Sequence, residues 1–214
     1  MVDIMSVKTK KTAPRRFQRK AKRTRRKLKK AALDMFSEKS VDATTIEEIT
    51  EKADVGKGTL YQYFEDKEAM VITLVEEAIE HLIERMRSYE QRPDTLEAML
   101  EHLLNVHYSF SVNAREEFIL LFQGKLLLKL ESEELEELEE PYLRYLHEIE
   151  EQVSFYLSPR ISPVKVRRLA CAAAGFVFGF LSFAMIGLSE DEIQTSAGPM
   201  KKVFVRSLAD FLGR

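Results

Sequence analysis

Apolar residues recur at spacings of three and four along most of the chain, and the segments they define read as helices joined by short polar breaks. The first runs through Phe17, Ala21, Leu28, Ala31, Ala32, Met35 and Phe36. A short second segment carries Ile46, Ile49 and Ala53, and a third carries Leu60 and Phe64. A long helix is predicted through Val71, Leu74, Val75, Ala78, Ile79, Leu82, Ile83 and Met86, ending before Pro93. Next come Leu96 to Phe110, opened by a capping box of Asp94 with Glu97, then Glu116 to Lys129, then Tyr142 to Leu157 with Pro141 at its first position. Between the last two lies Glu131 to Glu140, seven glutamates in ten residues, expected to be a solvated connector. Leu169 to Leu188 holds no charge, and a final stripe runs through Met200, Val203, Phe204, Leu208, Phe211 and Leu212. The sum is an all-α chain of about nine helices.

The stretch Thr44 to Phe64 carries the most specific chemistry. Two Thr-x-x-Glu pairs overlap at its start, Thr44 with Glu47 and Thr45 with Glu48, and either can close a capping box. The helix they open is interrupted by Asp54-Val55-Gly56-Lys57-Gly58, residues suited to a tight turn, before a second short helix begins. With Leu60 and Phe64 anchoring that helix inward, its outer side presents Lys57, Thr59, Tyr61, Gln62 and Tyr63. A cation, a hydroxyl, an amide and two phenols are the groups that bond phosphate oxygens and base edges. This is the layout of a helix-turn-helix with a recognition helix.

On these residues the chain resembles the TetR (tetracycline repressor) family of transcription regulators. The resemblance runs from about Leu28 to Met70, on Ala31-Ala32-Leu33-Asp34-Met35-Phe36, Ala43-Thr44-Thr45-Ile46, Ile49, Ala53, Val55, Lys57-Gly58-Thr59-Leu60-Tyr61, Tyr63-Phe64 and Lys67-Glu68. Three positions depart from the family pattern: Ser40 and Asp54 stand where glycines are usual, and Gly56 where a capping serine is usual. If Ser40 and Asp54 need positive φ, each costs on the order of 1 kcal/mol.

The resemblance implies an N-terminal three-helix DNA-binding domain over residues 17–66 (motif 45–64), followed by an effector-binding and dimerisation domain over 67–214. DNA contacts are expected from Thr45, Lys57, Gly58, Thr59, Tyr61, Gln62, Tyr63 and Lys67. Lys67 is a cation in a helix's first turn, a mismatch with the helix dipole that a DNA phosphate would relieve. By the same resemblance an effector cavity is lined by Met99, Leu103, His107, Phe110, Phe118, Phe122, Tyr145, Phe155, Phe176 and Phe180, and takes a small, mainly apolar or amphipathic molecule. Two copies then pair through the last two helices, at Ala172, Gly175, Gly179, Met200, Val203, Phe204, Leu208 and Phe211. The expected partners are an operator duplex, the effector and a second copy of the chain. The expected outcome is repression, relieved when the effector releases DNA.

Charge sharpens the picture. Residues 1 to 30 hold 14 Lys or Arg against the single Asp3, a balance of +13, while the remaining 19 cations face 34 carboxylates, a balance of −15. Only the N-terminal end is built to meet a polyanion. Residues 1 to 16 lack apolar periodicity and are expected to form a disordered basic arm. The single cysteine, Cys171, and the lack of a signal-peptide pattern point to the cytoplasm. Two other readings compete: a membrane-tethered DNA-binding protein, with 169–188 as the span, and a helical scaffold that binds no DNA. No nucleophile and base set, phosphate-cradling loop or metal-ligand spacing is evident, so no enzyme, cofactor or metal is expected.

Overall fold

The computed structural model describes residues 15–127, 136–187 and 189–213, and all the regular structure among them is helical. Most of the expected basic arm, and residues 131–135 of the glutamate connector, lie outside the described residues. In order the helices are α1 (Arg15–Lys39), α2 (Ile46–Lys52), α3 (Lys57–Leu60), α4 (Lys67–Arg87), α5 (Leu96–Asn113), α6 (Arg115–Leu127), α7 (Glu136–Ser154), α8 (Pro163–Gly187) and α9 (Glu190–Gly213).

Helix α1 is two helices in character. Its C-terminal half buries Leu28, Ala31, Ala32, Met35 and Phe36 at helical spacing, while the basic half from Phe17 to Lys27 lies largely in solvent. It packs against α2, α4 and α6. Helix α4 is the central strut, with Met70, Val71, Leu74, Val75, Ala78, Ile79, Leu82, Ile83 and Met86 buried against α5, α6 and α7. Helices α7, α8 and α9 close the far side, and one buried cluster runs from Leu28 in α1 to Leu208 in α9.

Both non-glycine corners of the helix-turn-helix take the left-handed region, Ser40 at φ 92° and Asp54 at φ 54°. Asp54 follows the α2 cap Ala53 in a complete Schellman motif, in which its amide bonds Glu51 O at 3.0 Å and the Val55 amide bonds Thr50 O at 3.0 Å. At Ser40 the first bond is of the αL type, from the Ser40 amide back four residues to Phe36 O at 3.0 Å. The second is replaced by a side chain: Val41 N donates to Gln123 Oε1 at 3.0 Å, and Gln123 Nε2 donates to Phe36 O at 2.9 Å. Gln123, from α6, thus bridges the two backbone groups that a Schellman motif joins directly.

Three helix starts differ from the sequence expectation. The α5 cap is Thr95, bonding Ala98 N at 3.2 Å, in place of the predicted Asp94 box. Helix α7 begins at Glu136, inside the predicted connector, and carries Pro141 in its interior. The strong helix propensity of the glutamates outweighs one missing backbone bond. Helix α9 begins well before Met200 and runs through Pro199, opened by a capping box in which Ser189 N donates to Glu192 Oε2 at 2.8 Å.

Candidate nucleic-acid interface and effector groove

The helix-turn-helix is fixed by its cap and by two anchors. Thr45 closes the capping box with Glu48, its amide donating to Glu48 Oε2 at 3.0 Å and its hydroxyl accepting Glu48 N at 3.3 Å. Thr44 is not the cap: its buried hydroxyl donates to Ser40 O at 2.7 Å. Glu48 is pushed down to about 2 by its bond from Lys39, with the Thr45 amide adding to the effect. At the other end Leu60 is fully buried and Phe64 nearly so, each contributing about 2 kcal/mol of apolar burial.

With those anchors inward, Lys57, Gly58, Tyr61 and Gln62 are exposed, while Thr59 and Tyr63 are half-buried and Tyr63 packs on the core. Gly56 caps α3 through its backbone alone. The Lys57 ammonium is paired with Glu47, which raises the lysine's pKa and lowers the carboxyl's. That pair is solvent-exposed, so its net stabilisation is small and a stronger anion can displace it.

The basic half of α1 and helix α3 form the two walls of an open cleft of about 600 Å³, lined by Phe17, Gln18, Lys20, Ala21, Thr24, Val55, Thr59, Gln62 and Tyr63. Arg25 lies over the Phe64 ring at 5.7 Å, tying α1 to the same unit. Among the described residues, none of the cations from Arg19 to Lys27 is in a salt bridge, whereas Lys29 pairs with Glu77 and Lys39 with Glu48. Lys67 is placed differently from the rest. Its Nζ donates to the carbonyls of Val41 at 3.0 Å and Thr44 at 3.1 Å, so protein oxygens relieve the dipole mismatch that had suggested a phosphate.

In the C-terminal helices the predicted pocket residues divide. Leu103, His107 and Tyr145 line a cavity of about 10 Å³ together with Leu100, Leu104, Ile149, Ala173, Val177, Phe204 and Leu208. Tyr145 also lines a groove of about 420 Å³ with Glu139, Tyr142, Leu143, Leu146, Cys171, Ala174 and Phe178. Phe118, stacked on Phe178 at 5.4 Å, supports this groove from behind. Met99 and Phe110 are packed in the core, and Phe122 is half-buried. Phe155 lines neither of these spaces and is 67% exposed beyond the end of α7, with Arg92 over its ring at 4.5 Å. Phe176 and Phe180 stack on each other, and Phe176 on Phe204 at 3.7 Å, filling the contact of α8 with α9 and lining neither space. The groove residues missed from sequence carry a signal, since Cys171, Ala174 and Phe178 recur at three and four along α8, as Tyr142, Tyr145 and Leu146 do along α7.

His107 Nδ1 lies 2.6 Å from Leu103 O and its Nε2 lies 2.7 Å from the Tyr145 hydroxyl. Burial pushes the imidazole down to about 4 and pushes the Tyr145 phenol up.

Of the predicted pairing residues, Ala172, Gly175 and Val203 are exposed, and Gly179 and Phe204 are half-buried. A Cβ built on Gly175 or Gly179 meets nothing within 4 Å, so no described neighbour needs either to be small. Leu208 turns inward to the small cavity, and the side chains of Met200 and Phe211 lie outside the described ones.

Residues 28–74 match the model of the bacterial regulatory proteins of the tetR family. The chain is 25% identical over 58% of its length to YvdT, an uncharacterised helix-turn-helix-type regulator of Bacillus subtilis. It is 30% identical over 37% of its length to the fatty acid metabolism regulator protein of the same organism. These matches span 63% and 41% of the relatives themselves, less than two thirds of either. Among solved structures, FadR of Bacillus subtilis in complex with stearoyl-CoA superposes with a TM-score of 0.69 at 19% identity, covering 86% of this chain and 97% of that one. Salmonella enterica GusR gives 0.69 at 17% identity, covering 96% and 100%. The motif at its fixed spacing, the open recognition segment and the family-model match agree, and residues 28–74 are a DNA-binding domain of the tetR family, set in a helical fold shared with the FadR structure.

Proposed function

We propose that the protein is a homodimeric repressor that leaves a near-palindromic operator when a mainly apolar small molecule occupies the groove between α7 and α8. The observation that carries the DNA half is the division of the recognition segment: Leu60 and Phe64 are closed off while Lys57, Tyr61 and Gln62 stand open beside the unpaired cations of α1. Lys57, Thr59, Tyr61 and Tyr63 position the helix on phosphates, and Gln62 reads a base, its amide suited to adenine. Lys20 and Thr24, on the facing wall of the cleft, join them.

Support for the dimer comes from the last two helices. Val164, Ala172, Gly175 and Phe183 are all exposed on α8, and Val203 on α9, an apolar face that no described residue covers. A second copy seated there places two recognition helices in successive major grooves, about 34 to 36 Å apart. The same helix has the length and hydropathy of a membrane span, with a mean hydropathy of 1.5 over Pro163–Ala184. Its Leu169, Ala170, Ala173, Val177, Phe178 and Leu181 are nonetheless buried, which supports a core helix in a cytoplasmic protein.

Gel shifts of the full chain on genomic fragments at low salt test the reading. Specific retention is expected, with Gln62→Ala changing the preferred sequence and Tyr63→Phe weakening all sequences alike. Retention of no duplex at any salt concentration overturns it.

A further inference from the structure

The lysine of the recognition segment is already engaged within the protein. Lys57 opens α3, and its ammonium is paired with Glu47 in the first turn of α2, so the pair joins the two helices of the motif across the Asp54 corner. Within α1 to α3, the pairs of Lys39 with Glu48 and of Lys52 with Glu38 join α1 to α2 and do not reach α3. Each partner of the α2–α3 pair holds the other in its charged form: the bond from Lys57 lowers the Glu47 carboxyl, and the bond to Glu47 raises the ammonium.

The start of α2 does not depend on this carboxylate. Thr45 and Glu48 close the capping box between them, and Glu47 stands exposed beside it. Its place matters to DNA instead. It lies two residues after Thr45 and against Lys57, at the edge of the surface that the proposed function lays on phosphates. Lys57 reaches a phosphate only by leaving Glu47, and the freed carboxylate then faces the polyanion and draws a cation back from solution. If Lys57 stays where it is, it neutralises no phosphate. By either course the pair releases fewer counterions from the duplex than a free lysine does.

On the reading that α3 enters a DNA groove, we propose that Glu47 is a built-in competitor for Lys57, an anion standing where a phosphate would stand, and that it lowers both the affinity for duplex and the salt dependence of that affinity. Glu47 acts through Lys57 and touches neither base nor phosphate. The exposed pair is weak enough for phosphate to compete with it, which makes Glu47 a brake on binding and not a block.

The effect belongs to the sequence-independent part of binding, so it is measurable without knowing the operator. The full chain is titrated with a fluorescent duplex of random sequence over a range of salt concentrations, with anisotropy as the readout. Glu47→Gln keeps the shape of the side chain and removes its charge. Its slope of log K against log salt should steepen, by up to about one, and its affinity at low salt should rise about two- to fivefold. Lys57→Met and the double variant separate competition from plain repulsion. A carboxylate that merely repels DNA gives the same gain on removal whether or not Lys57 is present, whereas a competitor gives a gain at least about twofold larger when the lysine is there. An unchanged slope in Glu47→Gln, or equal gains in the two backgrounds, overturns the proposal and leaves the DNA reading standing. Failure of the unaltered protein to bind any duplex at low salt sinks the DNA reading, and this proposal with it.

Discussion

Gln123 caps the end of α1 at Phe36 from across the molecule, donating to that carbonyl at 2.9 Å while accepting the Val41 amide at 3.0 Å. Both bonds cross from α6 to the corner where the DNA-binding helices turn. Gln123→Ala leaves Val41 N unsatisfied in a part-buried place and should cost about 1 to 3 kcal/mol. Urea denaturation measures it. Because the same bonds hold α1 to α6, the variant's operator complex should also respond less to effector, scored as a smaller ratio of affinities with and without ligand.

Lys67 acts on the same corner from the other side, through the carbonyls of Val41 and Thr44. A lysine that touches phosphate changes the salt dependence of binding, whereas one that braces a loop does not. Lys67→Met should therefore lower operator affinity at every salt concentration with the slope of log K against log salt unchanged. A slope reduced by about one would show a phosphate contact instead.

The strained corners predict two gains. Ser40 at φ 92° and Asp54 at φ 54° each occupy a region that glycine enters freely. Asp54→Gly should raise stability by about 1 kcal/mol. Ser40→Gly should gain less, since its hydroxyl oxygen accepts the Ala43 amide at 3.4 Å and that bond is lost. Thermal melts of the two single variants rank them, and a lower midpoint for Asp54→Gly contradicts the backbone argument.

His107 makes stability depend on pH. Its folded value of about 4 lies below the ordinary 6.5, so between these the unfolded chain binds the extra proton and the folded chain resists it. Stability is complete above 6.5 and falls as pH drops toward 4, by about 2 kcal/mol between roughly pH 7 and pH 5. The lowered carboxyls of Glu47, Glu48 and Glu192 act only below their ordinary 4.5, so this interval isolates the histidine. Urea midpoints at the two pH values should converge in His107→Gln.

The helix-turn-helix could be read from the chain because its determinants are local. Capping chemistry and apolar spacing lie within four residues of each other, and they set the α2 start at the Thr44–Thr45 pair and turn Leu60 and Phe64 inward, as found. The choice of Thr45 over Thr44 was not local, since the Thr44 hydroxyl is claimed by Ser40 O. Two competing local signals misplaced the α7 start, where Pro141 argued for a boundary and the glutamates for continuation. Aromatic residues were easy to nominate for a pocket, but which faces meet depends on helix pairing. Phe155 fell past the end of its helix, while Glu139, Cys171 and Phe178 were overlooked. Gln123 carries no sequence signal at all, its bonds spanning 82 and 87 residues.

Cys171 sits exposed in the groove wall and is the sole thiol of the chain. A fluorophore attached there needs no background mutagenesis and reports occupancy from one defined point per subunit. In a symmetric pair built on α8, two spin labels at this position also give an intersubunit ruler. One native side chain thereby lets ligand entry and quaternary rearrangement be followed in a single sample.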